Sequence, residues 1–344
     1  MSSARSATSY EITIGSQKFT QADNASVENV VLEDHVDMVD YLSVRLGGTE
    51  TQPKWNISLG DKVEVKMGAG DILLFKGEVT ALEPSWQVDA AMTLTVRALD
   101  HCHRLARGRK TRWFEEKKDS DVATTVGKEC GLDEVSVDAT EETHAYILQR
   151  NESNLAFLKR LAARNNYQLS VDEGKLIFKK ASFSGTATEI TMGDNLRSLR
   201  MHFNTQDQVK EVIVRGWDIR EKLEVVGKAT SGDIEAIGDG QSGSDLATAK
   251  FGEATAYITD VPVGSQGQAN ILAKSEMNRL ARQFLHGSCT MDGNDALRAG
   301  AMVKFTGLQT NYNGSFYIIS SRHIISTQAG YITEFTFCGN ALGT

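Results

Sequence analysis

Gly60-Asp-Lys-Val63-Glu-Val65 opens a pattern that returns 240 residues later as Gly300-Ala-Met-Val303-Lys-Phe305. The early copy continues through Gly77 to the alternating stretch Met92-Thr-Leu94-Thr-Val96. The late copy continues through Gly314, which is 237 residues beyond Gly77, to Tyr331-Ile-Thr-Glu-Phe335-Thr-Phe337. Apolar residues at every second position predict strands with one buried face. The nearly constant spacing therefore predicts two similar small β-barrels in one chain.

The same alternation predicts further strands, with short turns between them. It covers residues 10–14, 41–46, 63–67 and 94–96. Turn signals lie at Gly47-Gly48, Gly68-Ala-Gly70 and Asn313-Gly314. Since Asn and Gly both tolerate positive φ, the last pair predicts a type I′ hairpin turn.

Helical periodicity interrupts the strands in three places. The predicted helices are 121–130 with Ser120 as N-cap and Gly131 as stop, 154–165 after Ser153, and a third that starts at Ser265 and stops at Gly287. The spacing from Ser265 to Gln268 matches a capping box. A fourth helix is predicted near residues 246–257.

Composition and charge narrow the class of protein. The 344 residues suffice for two or three domains, and the net charge of −8 disfavours nucleic acid and anionic membranes as partners. The four cysteines are far apart and form no CxxC pair, which is typical of reduced thiols in a protein folded in the cytosol. No apolar run approaches the roughly 18 residues of a membrane helix, and residues 1–10 lack the apolar core of a secretory signal.

Together these patterns predict a mainly β (α+β) protein with two related barrels and an α/β insertion. We expect a first β-barrel at 8–98, a mixed α/β segment at 99–190, and a second β-barrel at 191–344 with a helical insertion at about 245–285. A homotrimer of such a chain would present six similar barrels in a ring of pseudo-six-fold symmetry. That ring would join a three-fold object to a six-fold one.

Several segments resemble the phage late control protein D family, which includes contractile-tail hubs and the N-terminal part of VgrG proteins. The resemblance lies in a strand followed by a basic loop and a helix start, a second-helix pattern, and a final barrel. These segments are 97–105, 107–114, 119–123, 151–162 and 298–335. Their order and spacing along most of the chain make the resemblance specific.

The resemblance implies a non-enzymatic baseplate hub, assembled in the bacterial cytoplasm as part of a phage tail, tailocin or injection particle. Such a homotrimer stacks under the first ring of tail tube protein, carries a spike below, and contacts other baseplate proteins. In VgrG proteins the spike continues from the same chain, whereas this sequence ends at Thr344. We therefore expect either a separate spike subunit or a C-terminal extension that is missing here.

Two motifs suggest cofactors or metals at first sight. Gly238-Asp-Gly240-Gln-Ser-Gly243 spells GxGxxG, but it lacks the buried strand that a dinucleotide site needs. We interpret it as a flexible surface loop and expect 231–245 to become ordered only in the assembled particle. His101 and His103 would share a face of an extended segment, yet their spacing matches no zinc pattern. Cys130 or His144 would have to supply further ligands, so structural histidines around a core Cys102 are the favoured interpretation.

Charged clusters leave two interpretations open. The cations Arg104, Arg107, Arg109, Lys110 and Arg112 form either a solvated loop or a contact with an acidic partner surface.

The pairs Glu115-Glu116 and Glu141-Glu142 are adjacent, so their side chains diverge and cannot form a facing acid pair. His323 is interpreted as a structural histidine.

No catalytic, cofactor-binding or metal-binding residues are therefore expected. The alternatives are a tail-tip cell-wall hydrolase and a glycan-binding adhesin. The adhesin would need exposed aromatic platforms, whereas the four tryptophans are scattered at 55, 86, 113 and 217.

Overall fold

A computed structural model describes residues 9–21, 27–48, 55–68, 72–132, 134–193, 195–219 and 221–343. Residues 8, 70 and 344, which belong to predicted domain ends and a predicted turn, lie outside these ranges. The described residues begin with seven strands, β1 (Tyr10–Ile14), β2 (Gln17–Thr20), β3 (Val27–His35), β4 (Tyr41–Gly47), β5 (Lys62–Met67), β6 (Ile72–Ser85) and β7 (Thr93–Asp100). Their alternating apolar residues bury one face around a common core, so we call them the first half-barrel.

A mixed segment follows, which we call the middle module. It contains α1 (His103–Ala106), β8 (Lys110–Lys118), α2 (Asp119–Glu129), β9 (Glu134–Val137), β10 (Thr143–Glu152), α3 (Asn154–Arg164), β11 (Tyr167–Asp172) and β12 (Lys175–Lys180). β8 and β10 form a two-stranded antiparallel ribbon, and β11–β12–β9 form a separate three-stranded sheet. Phe157, Leu158 and Leu161 of α3 are buried between them in a core of their own.

The chain then forms the first two strands of the second half-barrel, and a separate module is inserted after them. β13 (Thr188–Thr191) and β14 (Leu196–Phe203) are followed by what we call the inserted module, with β15 (Glu211–Asp218), β16 (Leu223–Thr230), β17 (Gln241–Ser242), α4 (Gly243–Phe251), β18 (Thr255–Ile258) and α5 (Gln266–Ala281). α5 packs on one face of the sheet β16–β15–β18. A Cβ on Gly227 would lie 2.1 Å from the carbonyl oxygen of Ala269, so glycine permits this close packing.

The second half-barrel is completed by β19 (Leu285–Asp292), β20 (Met302–Thr306), β21 (Gly314–Ser326) and β22 (Gly330–Gly339). A short strand, β23 (Ala341–Leu342), pairs with β17. Five buried phenylalanine rings dominate the core of the second half-barrel, those of Phe284, Phe305, Phe316, Phe335 and Phe337.

The two half-barrels are parts of one 13-stranded sheet rather than separate barrels. Its order is β14-β19-β22-β21-β3-β4-β7-β6-β5-β1-β2, with β20 pairing β21 and β13. The mainly β fold class with an α/β insertion is confirmed. The internal repeat is confirmed as well, because β5–β6–β7 and β20–β21–β22 are both antiparallel meanders. How the chain divides into independently folding domains stays a prediction.

The inserted segment differs from the predicted one. The sequence predicted a helical insertion at about 245–285, but the inserted module begins near residue 209 and contains a three-stranded sheet. The helix predicted to stop at Gly287 ends at Ala281, and Gly287 lies in β19 against the ring of Phe337. The helix predicted near 246–257 ends at Phe251, and β18 follows it.

Two of the three predicted N-caps are confirmed. Ser153 and Ser265 are N-caps, as predicted, and their hydroxyl oxygens accept from the amides of Ala156 and Gln268 at 3.2 and 3.1 Å. Ser120 is not a cap. α2 starts at Asp119, and the carboxylate of Asp121 accepts from the amide of the N-cap residue Lys118 at 3.2 Å.

The predicted type I′ turn at Asn313-Gly314 is wrong. Asn313 has a φ of −72°, and the chain turns through a 3₁₀ segment at Thr310–Tyr312. The side chain of Asn313 instead closes this loop, since its Oδ1 accepts from the amide of Leu308 at 2.9 Å and its Nδ2 donates to the carbonyl of Leu308 at 3.2 Å.

Candidate interaction surfaces

The two half-barrels join along a seam where β3 pairs with the C-terminal half of β21. The register runs from Ser320 opposite His35 to Ser326 opposite Asn29. Because the N-terminal half of β21 pairs with β20, a single strand belongs to both half-barrels. The seam therefore links the two parts of the sheet by continuous backbone pairing.

A buried polar network lies at this seam. Asp34 is only 3% exposed, and its carboxylate accepts from the amide of Ser321 at 3.1 Å and from Nε of Arg298 at 3.1 Å. The amide of Ala299 donates to it as well, at 3.2 Å. A buried carboxylate is tolerated only with such compensation, so Arg298 holds the loop before β20 against β3.

The network contains Asp34, Ser321 and His323, which are the residue types of a hydrolytic triad, but their order is wrong for catalysis. The Ser321 hydroxyl lies between the other two, bonded to Asp34 and 3.0 Å from Nε2 of His323. In a triad the imidazole lies between the acid and the nucleophile. Nδ1 of His323 faces the Tyr331 hydroxyl at 2.8 Å, and burial lowers the pKa of His323 to about 4. The imidazole is therefore a neutral structural bridge near pH 7.

A second charged cluster joins the middle module to the inserted module. Asp119 accepts from Nε of Arg164 at 2.6 Å and from Asn165 at 2.7 Å, and His144 Nε2 lies 3.5 Å away. Burial would raise the pKa of Asp119, but the hydrogen bonds from His144 and Arg164 outweigh it and hold the pKa at about 2. The other imidazole nitrogen of His144 faces Gln268 of α5 at 3.2 Å and meets no nucleophile there. No sequence motif marks this cluster, because its members come from α2, β10, α3 and α5.

The N-cap of α5 reaches the middle module directly. The Ser265 hydroxyl donates to Glu142 at 2.6 Å while it accepts from the amide of Gln268. We expect Ser265→Ala to lower the free energy of unfolding by about 2 kcal/mol, because it removes a cap and a charged hydrogen bond. Ser153→Ala is the matched control, since Ser153 is an N-cap without a bond to another module, and about 1 kcal/mol is expected. Urea titration measures both, and equal losses would mean that the bond to Glu142 contributes nothing.

The two histidines that flank Cys102 do not share a face of an extended segment. His101 and His103 lie in a turn and in α1 rather than in an extended segment, and His103 Nε2 contacts Glu78 at 2.9 Å. Cys102 is buried between them, as interpreted, whereas Cys130 and His144 lie elsewhere. Within the described ranges, no three His, Cys, Asp or Glu side chains converge as metal ligands would.

The GxGxxG segment is packed against the second half-barrel, so the expectation of a flexible surface loop is wrong. Gly238 and Gly240 have φ values of +78° and +128°, and a Cβ on them would lie 2.6 and 2.0 Å from the carbonyl oxygens of Ser315 and Leu342. Gly243 begins α4 against the ring of Phe284. These glycines serve close packing of the protein on itself.

Most of the basic cluster is paired within the chain rather than solvated. Arg104 contacts Glu78, while Lys110 and Arg112 contact Glu129. The hydrogen bond from Arg104 is the main reason why the pKa of Glu78 falls to about 2. Arg107 and Arg109 form no ion pair with any described carboxylate.

Comparisons with known proteins give a family and several relatives. A family model described as the Alg8 N-terminal domain matches residues 6–327. A probable baseplate hub protein of Escherichia phage 186 is 27% identical over 186 residues, which are 53% of this chain and 47% of that protein. The chain thus spans about half the length of the curated relative that it matches.

Solved structures share the fold over nearly the whole chain. The 43 kDa tail protein of prophage MuSo2 from Shewanella oneidensis has a TM-score of 0.69 at 16% identity, covering 96% of this chain and 97% of its own. A tail protein from Neisseria meningitidis MC58 has a TM-score of 0.72 at 12% identity, covering 97% of both chains. An E. coli component of the type VI secretion system has a TM-score of 0.64 at 12% identity, covering 96% and 77%.

These matches confirm the resemblance to contractile-tail hub proteins that the sequence indicated. Among the helices of the described residues, none is both long and apolar enough to cross a lipid bilayer.

Proposed function

The chain belongs to the family described as the Alg8 N-terminal domain. We propose that it is a structural baseplate hub of a contractile injection system or phage tail. The observation that carries this proposal is the shared fold with phage tail proteins over 96–97% of the chain. The relationship to a probable baseplate hub protein supports the same role. The proposed work is mechanical rather than catalytic.

The proposed assembly is a homotrimer that adapts the six-fold tail tube to a three-fold spike. Each chain supplies two antiparallel meanders in one curled sheet, so three chains would place six around an axis. The seam with Arg298 and Asp34 would keep the two meanders of a chain in fixed relation under load. The proposed partners are the tube protein ring, a spike protein and other baseplate proteins within a phage or injection particle.

The mass of the purified chain tests the assembly. Light scattering over a concentration series should give about three times the 37.6 kDa of the protomer, and electron microscopy of that species should show six similar lobes. A chain that stays monomeric at every concentration and binds neither its cognate tube protein nor its cognate spike protein would overturn the proposal.

A further inference from the structure

The two half-barrels repeat each other strand by strand, including their irregularities. In the order of the sheet, β3–β4–β7–β6–β5 of the first correspond to β14–β19–β22–β21–β20 of the second. β6 has an extra residue against β7 after Val79, and β21 has one against β22 after Ile318. β3 and β14 each have one against the adjacent strand, within residues 27–29 and 196–198. Because both bulges recur at matching places, the residues of the two halves can be paired one by one.

The backbone bonds beside the first bulge are repeated as well. The amide of Val79 donates to the carbonyl of Asp61, and the carbonyl of Val79 accepts from Gly60, both at 2.8 Å. Ile318 forms the same two bonds with the loop before β20, both at 2.9 Å. Val79 therefore corresponds to Ile318, and the residues that follow in β6 correspond in order to those that follow in β21.

Only one of two equivalent strand contacts is formed inside the chain. The C-terminal half of β21 pairs with β3 at the seam. The corresponding edges in the other copy of the repeat belong to residues 80–85 of β6 and to β14. Within the described part of the chain, no strand pairs with either of these edges. The chain thus carries both halves of a second contact of the same kind and does not join them.

The free edge of β14 leaves its core-facing side incompletely covered. Three core-facing residues of β14 are only partly buried, namely Leu199, Met201 and Phe203. Their counterparts in β3, which has β21 beside it, are at most 3% exposed, namely Val30, Leu32 and Asp34. The amide of Asn204 donates to Phe284 inside the chain at 2.8 Å. Since amides alternate in direction along an antiparallel strand, the amide of Phe203 points to the free edge.

The free edge of β6 is exposed in the same way beyond its bulge. Leu82 is only partly buried against the first core, whereas its counterpart Ser321, beside β3, is 2% exposed. Trp86 follows β6 directly and is 66% exposed. An unpaired strand edge with a large apolar side chain next to it is a template for another strand. Both edges therefore lack the same thing, which is one neighbouring strand.

We propose that residues 80–86 of one copy pair with β14 of a second copy of this chain, in the register of the seam. This inference rests on the proposed hub function and names the strands of its subunit contact. Three apolar pairs between the copies result from the correspondence, namely Leu82 with Phe203, Pro84 with Met201, and Trp86 with Leu199. Pro84 has no amide to donate, so the contact relies on the other backbone groups and on these apolar pairs.

A second copy is the occupant because the chain already contains this contact once, between β21 and β3. On the solvent face, Glu83 would lie opposite His202 and Ser85 opposite Arg200, so no like charges meet. Glu83 already pairs with Arg97 at 3.0 Å, and charge is therefore not what selects the partner. A contact between two different edges generates a ring when the rotation closes. Three copies would alternate three seams inside chains with three contacts between chains.

A disulfide across the proposed contact tests its register. Glu83→Cys with His202→Cys places two thiols directly opposite each other, at a separation that a disulfide spans. The two strands are seven positions apart in the sheet of one chain, so only two copies can be linked. Mild oxidation should give covalent dimers and trimers on a non-reducing gel. Glu83→Cys with Ser198→Cys is the matched control, since all three residues are exposed and Ser198 lies four positions from His202, about 13 Å along the strand.

Trp86→Ser gives an independent readout of the same contact. Trp86 is exposed, so the variant should fold, which circular dichroism and thermal melting would verify. It should assemble only at concentrations at least about tenfold higher than the unmodified chain, as expected for loss of an aromatic anchor. Trp217→Ser is the matched control, because Trp217 is 55% exposed and lies in the inserted module, outside both edges. Its assembly should equal that of the unmodified chain.

The outcomes separate this inference from the function on which it rests. If the unmodified chain is trimeric but the chain with Glu83→Cys and His202→Cys is linked no better than the control, the contact lies elsewhere. The inference is then overturned while the hub proposal stands. A chain that is monomeric alone is oxidised together with its cognate tube or spike protein, and binding without a cross-link overturns the inference in the same way. If it binds neither protein, the hub proposal fails as well.

Discussion

Arg298→Ala is expected to lower the free energy of unfolding by about 3–5 kcal/mol, the loss typical of a buried ion pair that loses one partner. The change leaves the Asp34 carboxylate buried at the seam with only neutral donors, the amides of Ser321 and Ala299 among them. It also frees the loop before β20, because Arg298 donates to the carbonyl of Leu73 in the first half-barrel at 3.3 Å. Urea denaturation at a fixed protomer concentration measures the loss.

Arg322→Ala is the matched control on the same pair of strands. Arg322 also bridges β21 to β3, through Glu33 at 3.0 Å, but its side chain is 46% exposed. Exposed pairs of this kind contribute about 0–1 kcal/mol. Adding Asp34→Asn to Arg298→Ala should recover part of the loss, since the uncompensated charge is then gone. Similar small losses for Arg298→Ala and Arg322→Ala would show that the buried pair does not stabilise the seam.

Local features of the chain could be predicted from the sequence, and contacts between distant segments could not. The alternating strands near Val63 and Val303 and the caps at Ser153 and Ser265 depend on neighbours within a few residues, and all were predicted. The pairing of Asp34 with Arg298 joins residues 264 positions apart, and no motif marks it. The start of α2 was misplaced for a different reason, since the contact at its N-terminus runs locally from the Lys118 amide to Asp121 and Ser120 takes no part in it.

One local feature was predicted wrongly, because a side-chain contact with a residue five positions away replaced the turn that the Asn-Gly pair favours. The Asn313 side chain prefers to close its own loop on Leu308, so Gly314 becomes the first residue of a strand. The exposed apolar side chains of β10 did leave a signal in the sequence, because Tyr146-Ile-Leu148 is apolar at three consecutive positions and departs from the alternation of a strand with one solvent-facing side.

Asp100→Asn is expected to stabilise the protein at pH 8 and to have little effect at pH 4. Asp100 is 4% exposed and forms no ion pair among the described residues, although its Oδ1 accepts from the amide of Cys102 at 3.0 Å. Burial, with the nearby Asp40 carboxylate as a second cause, raises the pKa of Asp100 to about 8. Burial and the charge of Asp34 raise the pKa of Asp40 to about 7. Asparagine can keep the bond to Cys102 without a charge.

The direction of the pH dependence follows from proton uptake. The folded chain holds these protons up to about pH 7 and 8, whereas the unfolded chain releases them near the ordinary Asp pKa of about 4. Between these values the folded state binds more protons, so the contribution of these groups to stability falls as the pH rises from 4 to 8. This contribution to stability is constant below about pH 4 and above about pH 8.

A thermal or urea series from pH 4 to pH 9 should therefore show a shallower decline for Asp100→Asn than for the unmodified chain. The gap should reach on the order of 2–4 kcal/mol at pH 8, since each unit of pKa shift corresponds to about 1.4 kcal/mol and relaxation around the charge reduces the full value. Asp89→Asn, at an exposed carboxyl of the first half-barrel, should follow the unmodified chain at every pH. An Asp100→Asn profile parallel to the unmodified one would mean that Asp100 is ionised in the folded protein. In that case the buried Asp100 and the half-buried Asp40, which lie where the first half-barrel meets the β11–β12 hairpin, would be compensated by the nearby charge of Arg298 rather than by protons.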